Sequence, residues 1–263
     1  MPYTIIDCHT HVYPDKIAHR AVESIGEFYG ISMHMDGTVK TLLEMSEKAG
    51  VEKNLIHSAA VDGLHVHHIN DFLIRTVEEN KEKLLGFGTL HPDMEDPEKE
   101  LRRILDAGLK GIKLHPDMQK FSLGEKRAEK LFAICEGVCP MMFHTGDKRY
   151  QYSNPSLIPP ILKKLPRLKV ICAHFGGYSE WDSAAECLSD LPNAYVDTSS
   201  SFFALSKERA RELIDLYGED RVLFGSDYPM WNVQEEKETL LSLGLSEKAL
   251  QKIFSENLLK LIG

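Results

Sequence analysis

The run Asp7-Cys8-His9-Thr10-His11 places two imidazoles two residues apart at the end of an apolar stretch. Side chains of a β-strand alternate between faces, so His9 and His11 point the same way. Two neutral imidazoles on one side of a strand can chelate a divalent cation through their ring nitrogens. Alone, His-x-His is a common chance pattern that serves packing or hydrogen bonding. Three further segments repeat its logic. His144 closes Met141-Met142-Phe143, His174 closes Ile171-Cys172-Ala173, and Asp227 follows Phe224-Gly225-Ser226. Each is followed by a Gly or Pro turn. Five such groups around one cavity are costly to bury without a cation to offset them. The pattern therefore points to a metal site.

The elements that would position these groups recur at even spacing. β-rich runs fall at 4–9, 54–60, 84–90, 111–115, 140–144, 168–174, 194–198 and 221–226. Most are nearly continuous apolar stretches, the mark of parallel strands buried on both faces. Amphipathic helical patterns fill the gaps at 38–49, 71–83, 97–107, 125–136, 155–165 and 206–217, with a last helix near 246–262. Asp96-Pro97 and Ser206 read as helix starts, and Gly50, Gly108 and Gly218 as helix ends. Strand starts lie about 30 residues apart, the size of a βαβ unit. The expected fold is α/β: a single (β/α)8 TIM barrel domain over 1–263, with the metal site at the C-terminal ends of the strands. An open doubly wound sheet is the runner-up, but no G-x-G-x-x-G follows the first strand. The connection at 12–37 reads as a long binding loop or lid carrying Tyr13, His19, Phe28, Tyr29, His34 and Met35.

The chain has 263 residues, with 31 basic against 40 acidic side chains and a net charge of −9. That excess of acid, with no basic stripe, argues against nucleic acid as a partner. No polybasic anchor, spanning segment or signal peptide is legible, so neither membrane nor export is expected. Five cysteines without dense spacing fit a reducing compartment, and the expected location is the cytoplasm. Cys135 and Cys139, four apart on a helix, read as half-buried thiols rather than a metal clip.

The constellation resembles the amidohydrolase superfamily. More specifically, it resembles the amidohydrolase-related branch of TIM-barrel metal-dependent hydrolases, which includes aminocarboxymuconate-semialdehyde decarboxylase. The resemblance covers nearly the whole chain. It rests on D-x-H-x-H and on Gly86-Phe87-Gly88-Thr89-Leu90-His91-Pro92, Gly111-Ile112-Lys113-Leu114-His115-Pro116, His174-Phe175-Gly176-Gly177 and Arg221-Val222-Leu223-Phe224-Gly225-Ser226-Asp227-Tyr228-Pro229. It implies a zinc-type centre held by His9, His11, His144 and Asp227, with one metal per chain as the default and a second possible. His174 would be a catalytic or electrophilic histidine, or a ligand to that second metal. Asp227 would take the proton of a metal-bound water and pass it on, and His174 could stabilise an oxyanion or relay the proton.

Other residues carry open readings. Lys113 and His115 share strand parity, so both can face the cavity. Lys113 is a candidate carboxylated bridge between two metals, as in binuclear relatives. It could equally anchor a substrate carboxylate or pair with a buried Asp lower in the barrel. His115 is read as substrate-facing. His65, His67 and His68 read as a solvated cluster, His57 as a hydrogen-bonded core residue, and His91 as a turn cap. Trp181 and Trp231 read as aromatic packing under loops. Lys148 and Arg149 hint at an anionic substrate.

The first functional expectation is a hydrolase that uses metal-activated water on a small, carboxylated molecule. The alternative is a carboxy-lyase or hydratase on the same site. A TatD-like deoxyribonuclease shares the barrel and the His-x-His start, but that group resembles a pattern with a Glu where this chain has Lys113. A non-catalytic binding barrel would be expected to lose at least one of the five groups. A homodimer is the expected assembly.

Overall fold

The computed structural model describes residues 3–263. Eight short parallel strands occupy the expected runs: β1 (Ile6–His11), β2 (Lys53–His57), β3 (Leu84–Gly86), β4 (Ile112–Leu114), β5 (Met141–Phe143), β6 (Val170–Cys172), β7 (Ala194–Asp197) and β8 (Val222–Leu223). They form two ladders, β1-β2-β3 and β4 through β8 in sequence order. Single bridges join them into a barrel. Gly88 pairs with Ile112, and Thr10 with Tyr228. At the second seam Cys8 N donates to Phe224 O at 2.9 Å, Asp227 N to His9 O at 2.9 Å and His11 N to Tyr228 O at 2.7 Å.

Among the described residues, twelve α-helical segments surround the strands. In chain order they are α1 (Asp15–Tyr29), α2 (Val39–Ala49), α3 (Val66–Glu79), α4 (Pro97–Asp106), α5 (Pro116–Gln119) and α6 (Lys126–Cys135). There follow α7 (Ile158–Lys164), α8 (Trp181–Leu188), α9 (Lys207–Tyr217), α10 (Val233–Leu241), α11 (Glu247–Gln251) and α12 (Asn257–Ile262). Asp96 and Ser206 cap α4 and α9 by accepting from Lys99 N and Arg209 N. Gly50 ends α2 in the left-handed conformation.

Two expectations need correction. The segment 12–37 is not a loop throughout, because α1 fills most of it. Its buried stripe is Ala18, Val22 and Gly26, four residues apart but made of small side chains. Large apolar residues, the usual periodic signal, are missing from that stripe. The expected helix at 246–262 is interrupted by a wider π-type turn at Lys252–Glu256. There the Ile253 carbonyl accepts from Phe224 N at 2.9 Å, which diverts it toward the end of β8.

Inside the barrel, Ile6, Cys8, Leu55, Phe87, Met142, Ile171 and Leu223 pack as an apolar floor with Leu258 and Leu261 of α12. The larger outer core lies between strands and helices and includes Leu42, Leu73, Ile104 and Phe132. The β1–β2 register shifts between Asp7 and Thr10. The irregularity separates two phases of β1, so Ile6 and Cys8 join the floor while His9 and His11 meet in the cavity above it.

Candidate active site

Three ligand atoms form a near-equilateral triangle at the barrel mouth. His9 Nε2 lies 3.3 Å from His11 Nε2, and each lies 3.3 Å from Asp227 Oδ1. Side-chain donors of His9, His174 and Asp227 also lie within 4.8 Å of one another. The backbone turns sharply to present them. Asp227 and His174 both have φ of 63°, a left-handed conformation that non-Gly residues hold at some cost and that clusters at functional sites. Gly225 permits the close approach of β8 to β1, since a Cβ there would meet His9 Cβ at 2.8 Å.

Hydrogen bonds fix the imidazole tautomers. His9 Nδ1 faces Asp197 Oδ2 at 2.9 Å, so it carries the proton and Nε2 offers its lone pair to the triangle. His174 Nδ1 faces the Ser199 carbonyl at 3.1 Å, which likewise leaves Nε2 as a lone pair. That lone pair faces His144 Nδ1 at 3.0 Å. Asp227 Oδ2 accepts from Ser200 Oγ at 2.5 Å, and Trp231 Nε1 donates to Ser200 Oγ at 2.8 Å. Burial lowers the His9 pKa to about 4, with Lys113 adding to the effect, so the ring is neutral at pH 7. Burial would raise Asp227, but His9, His11 and His174 outweigh it and hold the carboxyl well below its usual range. Neutral imidazole lone pairs converging with one ionised carboxylate are a donor set suited to a divalent cation, and the residues present fit that group.

The structure orders the expected ligands differently in one respect. His174 joins the compact group with His9 and Asp227, whereas His144 groups with His115 and Asp117. The reason is local. The His144 ring stacks on His115 at 4.0 Å with planes 7° apart, and its Nε2 lies 3.8 Å from Asp117 Oδ2. His144 Nδ1 still points inward to His174, so His144 borders the centre from its outer side.

Lys113 departs from the expected substrate contact. It is fully buried, its Nζ lies 3.0 Å from His9 Nε2, and it does not line the cleft. Burial lowers its pKa to about 8, opposed by Asp197 and Asp227. His115 does line the cleft, together with His11, His144, His174 and Asp227. His57 is also corrected. It is buried, neither ring nitrogen has a hydrogen-bond partner, and its ring lies 4.4 Å from that of His11. It belongs beside the centre, since β2 pairs His57 with His11.

The peripheral residues sort out simply. His65 and His67 are exposed and paired with Asp62 and Glu100. His91 Nδ1 accepts from Asp93 N at 3.2 Å and caps its turn. Arg149 is held by Asp147 and faces α1. Asp197 and Ser199 were missed by the sequence reading, although Asp197 ends an apolar strand just as the recognised groups do. Ser199 Oγ lies 3.0 Å from His9 Nδ1 and 2.9 Å from His174 Nδ1. Asp7, read only as part of a motif, accepts from Ser226 Oγ at 2.5 Å and from His9 N at 3.1 Å, bracing β1 against the Asp227 turn.

A parallel barrel with this mouth-side cluster defines a metal-dependent enzyme class. The chain belongs to the amidohydrolase family, whose model matches residues 6–263. It is 27% identical over 202 residues to a 2-amino-3-carboxymuconate-6-semialdehyde decarboxylase of Dictyostelium discoideum. That match covers 62% of this chain and 55% of the relative, so the chain spans about half the length of that curated protein. Among solved structures it resembles a 2,6-dihydroxybenzoate decarboxylase from Rhizobium, with TM-score 0.73, 16% identity and coverage of 99% and 98% of the two chains. It also resembles a 5-carboxyvanillate decarboxylase from Novosphingobium aromaticivorans complexed with manganese and 4-hydroxy-3-methoxy-5-nitrobenzoic acid. There the TM-score is 0.76, the identity 19% and the coverage 99% and 96%. These likenesses establish the TIM barrel. Among the described residues no helix is long and apolar enough to cross a membrane.

Proposed function

We propose that the protein is a metal-dependent decarboxylase of a small carboxylic acid. This reverses the order of the two expectations, in which hydrolysis came first. The observation that carries it is the cleft above the His9–His11–Asp227 triangle, about 200 Å³ and open to solvent. Its walls include Ile25, Met33, Met118 and Met230, and no Lys or Arg lines it among the described residues. An anionic substrate therefore has its counter-charge at the triangle and its body against apolar walls. Such surroundings disfavour a carboxylate relative to the neutral CO₂ it releases. The decarboxylase relatives support the same reading.

His9, His11 and Asp227 would hold the cation, with His174 and His144 completing or bordering the set. When bound, the cation neutralises and polarises the substrate carboxylate. His174, whose Nε2 is a lone pair in the resting ring, is placed to take up a proton from water and then give it to the carbon that loses CO₂. The C–C bond breaks, and its electron pair takes up that proton. Asp227 keeps its carboxylate at the triangle and exchanges protons with His174 or water. One observation favours the hydrolytic reading instead. An ionised Asp227 beside the neutral ring of His11 is equally a base for water.

The test offers the metal-loaded protein a panel of ¹³C-carboxyl-labelled aromatic and unsaturated acids, alongside esters, lactones and amides. Labelled CO₂ from at least one acid is expected. Hydrolysis products without CO₂ from any acid would overturn the decarboxylase reading in favour of the hydrolase.

A further inference from the structure

Besides the triangle, the cleft is lined by polar side chains that include Tyr13, Ser24 and Tyr29, the last two from α1. Tyr29 Oη lies 2.9 Å from His115 Nε2, and both residues line the cleft. His115 Nδ1 accepts from Met118 N at 3.4 Å, so the ring proton resides on Nε2 and is donated to Tyr29. The Tyr29 hydroxyl is then an acceptor from His115 and keeps its own proton to give. Burial holds that phenol protonated, well above its ordinary range. No acceptor for it is present among the described residues other than the ring already paired with it.

The placement of Tyr29 rests on a clasp outside the cleft. Asp147 is buried, and Arg149 donates to it through Nε at 3.0 Å and Nη2 at 2.6 Å. The same guanidinium donates through Nη1 to the Phe28 carbonyl at 2.6 Å, in the last turn of α1. It also lies over the rings of Phe28, at 4.9 Å, and Tyr29, at 5.3 Å. Three donors in a planar fork thus tie the loop after β5 to the end of α1. The buried stripe of α1 is made of small residues, which anchor a helix less firmly than Leu or Phe. The clasp supplies what that stripe lacks.

We propose that Tyr29 is a substrate-binding residue and Arg149 its positioning residue. The Arg149–Asp147 clasp sets the end of α1 so that Tyr29, oriented by His115, donates a hydrogen bond to an acceptor oxygen of the substrate. The preferred substrate then carries, besides the carboxylate at the triangle, a second oxygen such as a hydroxyl or carbonyl on its apolar body. This rests on the decarboxylase reading for the identity of the substrate, but not for the clasp itself.

The two parts are tested separately. In ¹⁵N-histidine-labelled protein without substrate, the His115 Nε2 proton should give a resolved, exchange-protected NMR signal. Tyr29→Phe should remove the protection. Arg149→Met and Asp147→Asn should each reproduce that loss, and adding Arg149→Met to Tyr29→Phe should change nothing further. Arg149→Lys retains the charge beside Asp147 but has no second nitrogen for the Phe28 carbonyl, so it should lose the signal too. A wild-type signal in both Arg149 variants overturns the positioning role whatever the reaction proves to be. With an acid that the labelled-CO₂ panel identifies, Tyr29→Phe and Arg149→Met should each lower kcat/KM by about tenfold, and the double variant no further. Unchanged kcat/KM in Tyr29→Phe overturns the substrate contact while leaving the decarboxylase reading intact.

Discussion

The two sides of the cleft are built in opposite ways. On one side, His9, Asp197, His174 and Asp227 sit in strands or the turns that immediately follow them, and neighbouring groups hold them on several sides. His9 alone meets Asp197, Ser199 and Lys113 within 3.0 Å. Elsewhere in the cleft, Tyr29 and Met33 come from α1 and the chain just after it, and that helix is tied to the β5 loop by Arg149 on the Phe28 carbonyl and by Phe28 stacked on Tyr150 at 5.4 Å. The difference teaches where each kind of change is tolerated. Strand ends fix reacting groups to within tenths of an ångström, and a helix laid across the mouth can vary its residues without disturbing them. The proposed function and the proposed Tyr29 contact accordingly assign chemistry to the barrel and selectivity to α1.

The largest effect expected from this contrast is at Asp227. Asp227→Asn should lower kcat by about a thousandfold while a divalent metal is still bound, because the amide cannot carry the proton. Turnover at the wild-type rate would remove Asp227 from the chemistry. Next is Asp197→Asn, which leaves every cleft residue in place but weakens the orientation of His9. Metal affinity should fall by about 10- to 100-fold in a competition titration with a chelator. Tyr29→Phe, on the opposite side, should leave that affinity unchanged. Equal losses in the two variants would erase the distinction between the sides.

The smallest effect concerns stability, at a residue behind the triangle. Glu236 of α10 is buried with Oε2 unpartnered, and burial raises its pKa from 4.5 to about 9, with Asp7 and Asp227 adding to it. A raised folded-state value means that its stabilising contribution is full below about 4.5 and is lost as pH rises through about 9. Glu236→Gln should match the wild-type melting temperature at pH 4.5 and exceed it near pH 9. Identical melting at both pH values would show that Glu236 does not titrate in this way.

The barrel was legible because its strands are buried on both faces and read as apolar runs ended by a polar residue and a turn. The same feature made His9, His11, His174 and Asp227 visible. What escaped has physical causes. Asp197 has the same strand-end signature, but its partners lie 188 residues away at His9 and 23 away at His174, so sequence spacing could not reveal them. His57 looked like a core residue because it lies within a strand, and only the β1–β2 register brings it against His11. Lys113 has the right parity for the cavity, but it sits too deep to reach the cleft. Helix α1 was hidden by a stripe of Ala, Val and Gly, and Arg149 looked like a free cation because Asp147 and Phe28 are met only in space.

The measurement that tests the central claim most directly is metal content per chain. It would be made by elemental analysis of the wild type and of a His9→Ala/His11→Ala variant, each reloaded with zinc or manganese and dialysed. The expected result is about one tightly held divalent ion per wild-type chain and none in the variant, with the helical circular dichroism of the two superimposable. A wild type that retains no metal after reloading, or a correctly folded variant that retains as much as the wild type, would contradict the account.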